Sequence, residues 1–323
     1  MAWRAHSYAD CESTRMNHDS RRDFLKLAAS SAALWSVGGA VSTALAARSE
    51  PLVQSALADG LLLISGAGGN VLALRSNDGL MLIDGGNAAR SGELLATALK
   101  ATSTRKLHTL FNTHWHPDQT GLNERAGKDG ARIIAHENTR LWLTRKLTTE
   151  WLSGSYGPLP VKALPNSSFY TRESISFGDQ QIEYGHLGQA HTDGDLFVHL
   201  KKANVLVAGG LLSTEGWPVM DWQTGGWIGG LVGGIDRLLK QADDATRIVP
   251  ANGALIGKAE LQAQRDMYFT VFDNLVKLLV KGLGPDEVVA LKPAQAFEAK
   301  MGNSDIFVRA SFKSLWGHYA PDA

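Results

Sequence analysis

His114 and His116 stand two residues apart in THWHPDQTG, and Asp118 follows at the same interval. In extended backbone alternate side chains point the same way, so all three groups can converge on one point. Two imidazoles and a carboxylate are donors suited to a divalent metal, and Pro117 stiffens the loop that carries them. A catalytic zinc takes three protein ligands and keeps a fourth position for water. His191, in the glycine-flanked loop GQAHTDGD, is the expected third ligand. A lone histidine is more often a hydrogen-bonded core or surface residue. Three at strand ends, with an aspartate in register, favour a metal site.

The elements that must hold these loops are legible as short apolar runs between turn residues. LLLIS, NVLALRS and GLMLID from Leu61 onward are strand-like, and Asn77-Asp78-Gly79 between two of them signals a hairpin. SGELLATALKA has helical spacing, and KLHTLFNTH reads as a strand ending at His114. ARIIAH is a further strand and ENTRLWLTRKLTTEWL a helix. ESISFGDQQIEYGHLG is a hairpin about Gly178-Asp179, DLFVHL and NVLVAGG are buried strands, and GLVGGIDRLLKQADD is a helix. TRIVP and a long helix over Lys258 to Lys281 follow. Two blocks of strands, each with helices, predict two sheets stacked face to face with helices outside. The tail after Pro285 reads as helical and then irregular, ending in aromatics that pack back.

Composition narrows the function. The 323 residues carry 32 basic and 32 acidic side chains, so no charge footprint for nucleic acid or an acidic membrane surface exists. A small-molecule substrate is expected. SRRDFLK (Ser20 to Lys26) precedes an uncharged apolar run that ends in Ala44-Leu45-Ala46, a small-x-small cleavage pattern. Paired arginines in this setting resemble a twin-arginine export signal, which implies a periplasmic mature protein. Gly38, Gly39 and five serines or threonines weaken the run as a permanent span, so cleavage near Ala46 and no stable membrane insertion are expected. Residues 1–15, ahead of Met16, read as irregular polar sequence. The single cysteine, Cys11, lies ahead of the signal, so the mature chain has no disulfide and no thiolate ligand.

THWHPDQTG, preceded by GLMLIDGG and followed by GQAHTDGD, resembles the metallo-β-lactamase superfamily from about Leu61 to Lys281. The resemblance implies an α+β fold, a four-layer αββα sandwich with the metal at one edge between the sheets. Residues 1–46 are then an N-terminal extension with its signal, and 47–323 one such domain with a C-terminal helical tail. It also implies that Asp84 supports the histidine loop and that Asp195 is a structural acid of the HTDGD turn. Both remain open to a plainer reading as turn residues.

This chain departs from the two-metal members of that family at Gln119, Gly210 and Asn252, where histidine, aspartate and histidine are usual. Asp118 alone remains at the second site, and one carboxylate does not hold a zinc ion. Glu215 and Asp221, in the loop after Gly210, read as solvated carboxylates, and His136, His186 and His199 as ordinary hydrogen-bonded strand residues. Glu215 is the first to test as a replacement ligand. A one-metal site is therefore expected, with zinc as the default and iron, nickel or cobalt compatible. Its water would attack an acyl-type bond (lactone, ester, thioester or amide). Asp118, beside the ion as ligand or proton carrier, and Asn252, as an amide donor to the carbonyl oxygen, would assist. The alternative is a non-hydrolytic metal-binding protein of the same fold: scaffold, sensor or lyase. Trp217, Trp222 and Trp227 either border an apolar substrate cleft or pin the long loop, and the sequence leaves both open.

Overall fold

A computed structural model of the chain describes residues 51–319. The extension, the arginine pair, the cleavage site and Cys11 lie outside the described residues. Strands β1 (Val53–Ala58), β2 (Leu61–Ser65), β3 (Val71–Ser76), β4 (Gly79–Ile83), β5 (Leu107–Phe111), β6 (Arg132–His136) and β7 (Ser167–Phe169) form one sheet in chain order. The second sheet contains β8 (Arg172–Phe177), β9 (Gln180–His186), β10 (Leu196–Leu200), β11 (Val205–Ser213) and β12 (Arg247–Asn252), ordered from β12 to β8. The helices are α1 (Ser91–Thr102), α2 (Pro117–Thr120), α3 (Asn123–Lys128), α4 (Glu137–Leu143), α5 (Ile228–Gln241), α6 (Lys258–Val280), α7 (Pro285–Ala290), α8 (Glu298–Met301) and α9 (Asp305–Tyr319).

The two-residue period of the strands builds the layers. Met81 and Ile83 of β4 point into a core between the sheets, where they join Phe111, Tyr184, Val198 and Val207. Leu80 and Leu82 point the other way and pack with Leu94, Leu95 and Ala98 of α1. On the far side, Leu206, Ala208 and Ile248 pack with Leu231 and Ile235 of α5 and with Tyr268 and Val271 of α6. The architecture is the expected αββα sandwich, α+β in class. β1–β4 pair antiparallel, whereas β4, β5, β6 and β7 run parallel. Parallel strands end together, so the loops after β4 and β5 emerge at one edge.

Some expectations need correction. The helix from Glu137 stops at Leu143; residues 144–160 form an irregular loop in which Leu147 and Tyr156 bridge. That segment combines consecutive threonines with Gly154, Gly157 and two prolines, which do not continue a helix. The strand from Leu107 ends at Phe111, so His114 and His116 lie in a loop and their convergence is a loop property. β1 and β7 were not foreseen. β1 is almost wholly exposed and lacks a clean alternation, and β7 is three residues long. The end of the tail is α9, not irregular chain: Phe307, Val308, Phe312 and Leu315 share its buried face.

His136 and His186 stack at 3.8 Å between ring centroids, each bonded to a backbone carbonyl, of Tyr170 and Asp193 respectively. Burial, with the His186 ring adding to it, lowers the His136 pKa from 6.5 to about 4. The unfolded chain protonates this ring near 6.5 and the folded chain does not, so its support for folding is complete above about pH 6.5 and is lost as pH falls toward 4. The urea midpoint of the described domain is expected to fall steadily between pH 7 and pH 4.5. A midpoint flat over that interval contradicts the neutral stacked pair.

Candidate metal centre

His114, His116 and His191 are all buried, and one donor nitrogen of each lies within 4.8 Å of the others. Their ring centroids are 4.4 to 5.0 Å apart and the planes nearly perpendicular, an edge-to-face cluster rather than a stack. Burial and the neighbouring rings hold His114 and His116 well below the usual imidazole range. These rings are neutral at pH 7 and offer lone pairs without first losing protons.

What faces away from the centre decides which nitrogen faces in. Asp84 ends β4 with a φ of 66° and accepts from both the amide and the hydroxyl of Thr113, at 2.8 Å each. Thr113 Oγ1 spends its proton there, so it accepts from His114 Nδ1 at 3.0 Å, and His114 Nε2 is left for a metal. His116 Nε2 donates to Asp221 Oδ2 at 3.1 Å, leaving Nδ1. The same oxygen takes the Thr224 hydroxyl at 2.6 Å, and Thr224 in turn receives the Trp115 indole N–H at 3.0 Å. Asp195 binds the backbone amides of His191 and Thr192 at 2.7 and 2.9 Å. His191 Nδ1 lies 2.7 Å from Asp195 Oδ1, a charge contact too poorly aligned for a proper hydrogen bond. Every imidazole therefore has a carboxylate behind it, directly or through Thr113, which fixes the ring and raises its basicity.

Charge gives an independent test of whether a cation fits. Asp84, Asp195 and Asp221 are each 1% exposed. Asp118 lines the same cleft, and burial raises its pKa. Among the described residues, no lysine or arginine pairs with any of the four. Burial pushes the Asp84 carboxyl up to about 8 and raises Asp118 and Asp221 as well, so their ionised forms are costly here, and a divalent cation on the three imidazoles would offset that cost.

The remaining predicted residues are brought to the same cleft, with different commitments. Asp118, in the first turn of α2, is outside the group of converged nitrogens; its Oδ2 accepts from Gln119 Nε2 at 3.0 Å. Asn252, at the end of β12, lines the cleft. Its amide nitrogen, turned to donate, reaches the carbonyl oxygens of Ala251 and Gly68 at 3.2 Å each. In that orientation both N–H groups are spent on the backbone rather than turned to the cleft. Asp221 also needs correction: it is buried against His116, not solvated, because the loop folds back so that its backbone N–H reaches the His191 carbonyl at 3.0 Å. Glu215 is exposed and lies apart from the cleft that the histidines line. Asn70 was missed altogether. It clamps the two halves across the site, its amide bonding the Pro250 and Gly253 carbonyls at 3.0 and 2.9 Å. No local signal in the sequence marks it.

Gly210 is a steric necessity. A Cβ there would lie 2.0 Å from His191 Cε1 and 2.1 Å from its Nε2. Gly209, at a φ of 57°, would meet Thr113 at 2.7 Å. The glycine pair lets β11 pass beneath both histidine loops. Gly210→Asp is therefore expected to displace His191, weakening zinc affinity by about tenfold or more and adding no second metal equivalent. Zinc titration against a chelator with metal counting checks this; a tight second equivalent in the variant contradicts it. By the same assay Asp221→Ala should lose about 10- to 100-fold in affinity, and Asp221→Asn less.

Comparison with known proteins agrees with this geometry. Residues 65–252 match the family described as the metallo-beta-lactamase superfamily. A metallo-beta-lactamase type 2 from Bacillus sp. (strain 170) is 23% identical over 202 residues, 61% of this chain and 72% of that protein. Among solved structures, a metallo-beta-lactamase from Pontibacter korlensis superposes with a TM-score of 0.54 at 19% identity, over 68% of this chain and 99% of its own. A stereoselective inverting sec-alkylsulfatase from Pseudomonas sp. gives 0.61 at 14% identity, over 84% of this chain and 51% of its own. The family match spans more than half of the sequence and contains all three converged histidines, and the chain belongs to the metallo-β-lactamase superfamily.

Proposed function

We propose that this chain is an exported, mononuclear, metal-dependent hydrolase acting on an acyl-type bond of a small molecule. The observation that carries the reading is the pairing of three converging buried imidazoles with a carboxyl, Asp118, on the same cleft. A purely structural metal site closes its fourth position with another protein ligand, and no such ligand joins the three nitrogens among the described residues. Zinc is the default occupant, with iron, nickel and cobalt compatible with three imidazoles. When bound, the cation supplies Lewis acidity and acidifies a coordinated water to a pKa of about 7.

The chain's own groups then divide the work. His114, His116 and His191 would hold the cation, with the tautomers of the first two set by Thr113 and Asp221 and the His191 loop held by Asp195. Asp118 keeps Oδ1 available while Oδ2 is steadied by Gln119, so it can orient the attacking water and pass its proton to the leaving group. Burial raises the proton affinity of Asp118, and a nearby cation lowers it again; the balance suits a group that must both take and give a proton. Gln119 and Gly210, where other members carry metal ligands, support a count of one. The twin-arginine-like motif supports export to the periplasm. Among the described residues, no helix is long and apolar enough to cross a membrane. The competing reading, a non-hydrolytic metal-binding protein, draws on Gln119, whose amide ties up one oxygen of Asp118.

Metal analysis of the purified mature protein should return one equivalent. His116→Ala should abolish tight binding, whereas Asp118→Asn should retain the metal and lose at least about 100-fold in turnover of lactone, ester and β-lactam substrates. Full turnover by the metal-loaded Asp118→Asn protein gives Asp118 no part in the reaction. No turnover by the metal-loaded natural chain, across the whole panel, favours the non-hydrolytic reading.

A further inference from the structure

A groove of about 700 Å³ opens beside the metal cleft, between the loop of residues 214–223 and α9. Small-molecule sites span about 300–1,000 Å³, so this volume is sufficient for a ligand of drug size. Trp217, Pro218 and Val219 line both the groove and the metal cleft, so the two spaces adjoin along a shared wall. Trp151 stands at the junction, its ring centroid 4.3 Å from that of His116. Farther out the walls are apolar, with Trp222, Met220 and Met301, and Ile306 is 80% exposed on α9. α9 lies beyond the segment that matches the family.

Several polar groups of the groove are already engaged. The Trp217 indole N–H donates to the Gly302 carbonyl at 2.9 Å, and its ring stacks on Phe307 at 4.7 Å. On the rim, Glu150 pairs with Lys313 at 2.6 Å and Arg309 with Asp286 at 2.5 Å. Glu215, also on the rim, opposes an anion. No unpaired basic side chain lines the groove to fix an anion, and a solvated apolar surface leading to a reactive centre is stabilised by an apolar ligand.

We propose that the groove holds the alkyl or aryl chain of a neutral substrate, a medium- or long-chain ester or lactone whose carbonyl lies at the metal cleft. The proposal rests on the hydrolase reading and names its substrate class. Water adds to the carbonyl carbon, the acyl C–O bond breaks, and the alcohol leaves with a proton. A wall shared with the metal cleft favours a small molecule over a protein partner.

The test is a series of p-nitrophenyl esters, from butanoate to dodecanoate, with the zinc-loaded mature chain. Each buried methylene should tighten binding by about threefold, so KM is expected to fall at least about tenfold from butanoate to octanoate. Ile306→Asp, at an exposed position that leaves the core intact, should raise KM about tenfold for octanoate and much less for butanoate. A KM independent of chain length, or an equal loss on both esters, overturns the proposal. Binding of 1-decanol, read by tryptophan fluorescence, separates the groove from the chemistry. Saturable quenching that Ile306→Asp weakens about tenfold sustains the groove even if no ester is hydrolysed, and then only the hydrolase reading falls. Absence of saturable quenching overturns the groove whatever the activity. If Ile306→Asp instead dissociates a dimer in sedimentation and leaves decanol binding unaltered, α9 is an interface between copies and the proposal fails.

Discussion

Carboxyl groups buried with no lysine or arginine partner among the described residues are the constraint around which this site is arranged. Asp84, Asp195 and Asp221 lie behind the three histidines, out of water, where an uncompensated carboxylate is expensive. Among the described residues their partners are imidazoles, hydroxyls and backbone amides rather than lysine or arginine, and burial holds His114 and His116 well below the usual imidazole range. A divalent cation relieves both problems at once, because it attracts the carboxylates through the rings and takes the lone pairs that the carboxylates have turned inward. Metal binding and correct folding of this edge are thus one equilibrium seen from two sides.

Holding that arrangement requires two sheets to meet without slack. The Thr113 carbonyl accepts the Leu196 amide at 3.0 Å, joining the histidine loop of the first half to β10 of the second. Asn70 joins the β2–β3 loop to β12 from the other side. Between them Gly209 and Gly210 allow the β11 backbone to touch Thr113 and the His191 ring directly. Such contact distances leave no room for a side chain at these positions. Replacement of a second-metal ligand by Gly210 is thereby tied to the packing of the first site.

The groove beside the centre has a different physical character. The loop of residues 214–223 and α9 present tryptophan, methionine and isoleucine beside a centre made of imidazoles and carboxylates. Trp227, which the sequence grouped with Trp217 and Trp222, belongs elsewhere: it stacks on His318 at 3.6 Å and fastens α5 to α9. Trp217 combines both duties, pinned by Phe307 on one side and lining the cleft on the other. An aromatic can be a fastener and a cleft wall at once because its two faces are independent surfaces.

The sequence by itself determined the layered α+β fold and the three histidines. Strand alternation and helical period are local properties, and the spacing of His114 and His116 survives even though they lie in a loop. It also marked Asp84, Asp118 and Asp195, which stand in or beside the same short motifs. Only the tertiary structure decided the parts set by distance across the chain. Asp221 reads as a loop carboxylate until the 214–226 segment folds onto His116, 105 residues away in sequence. Asn252 reads as a free donor until its amide meets Gly68. α9 reads as irregular because its apolar face is short, and burial by α6 and α7 makes it a helix. Local pattern records which way a side chain points relative to its neighbours; what it meets there is a property of the assembled fold.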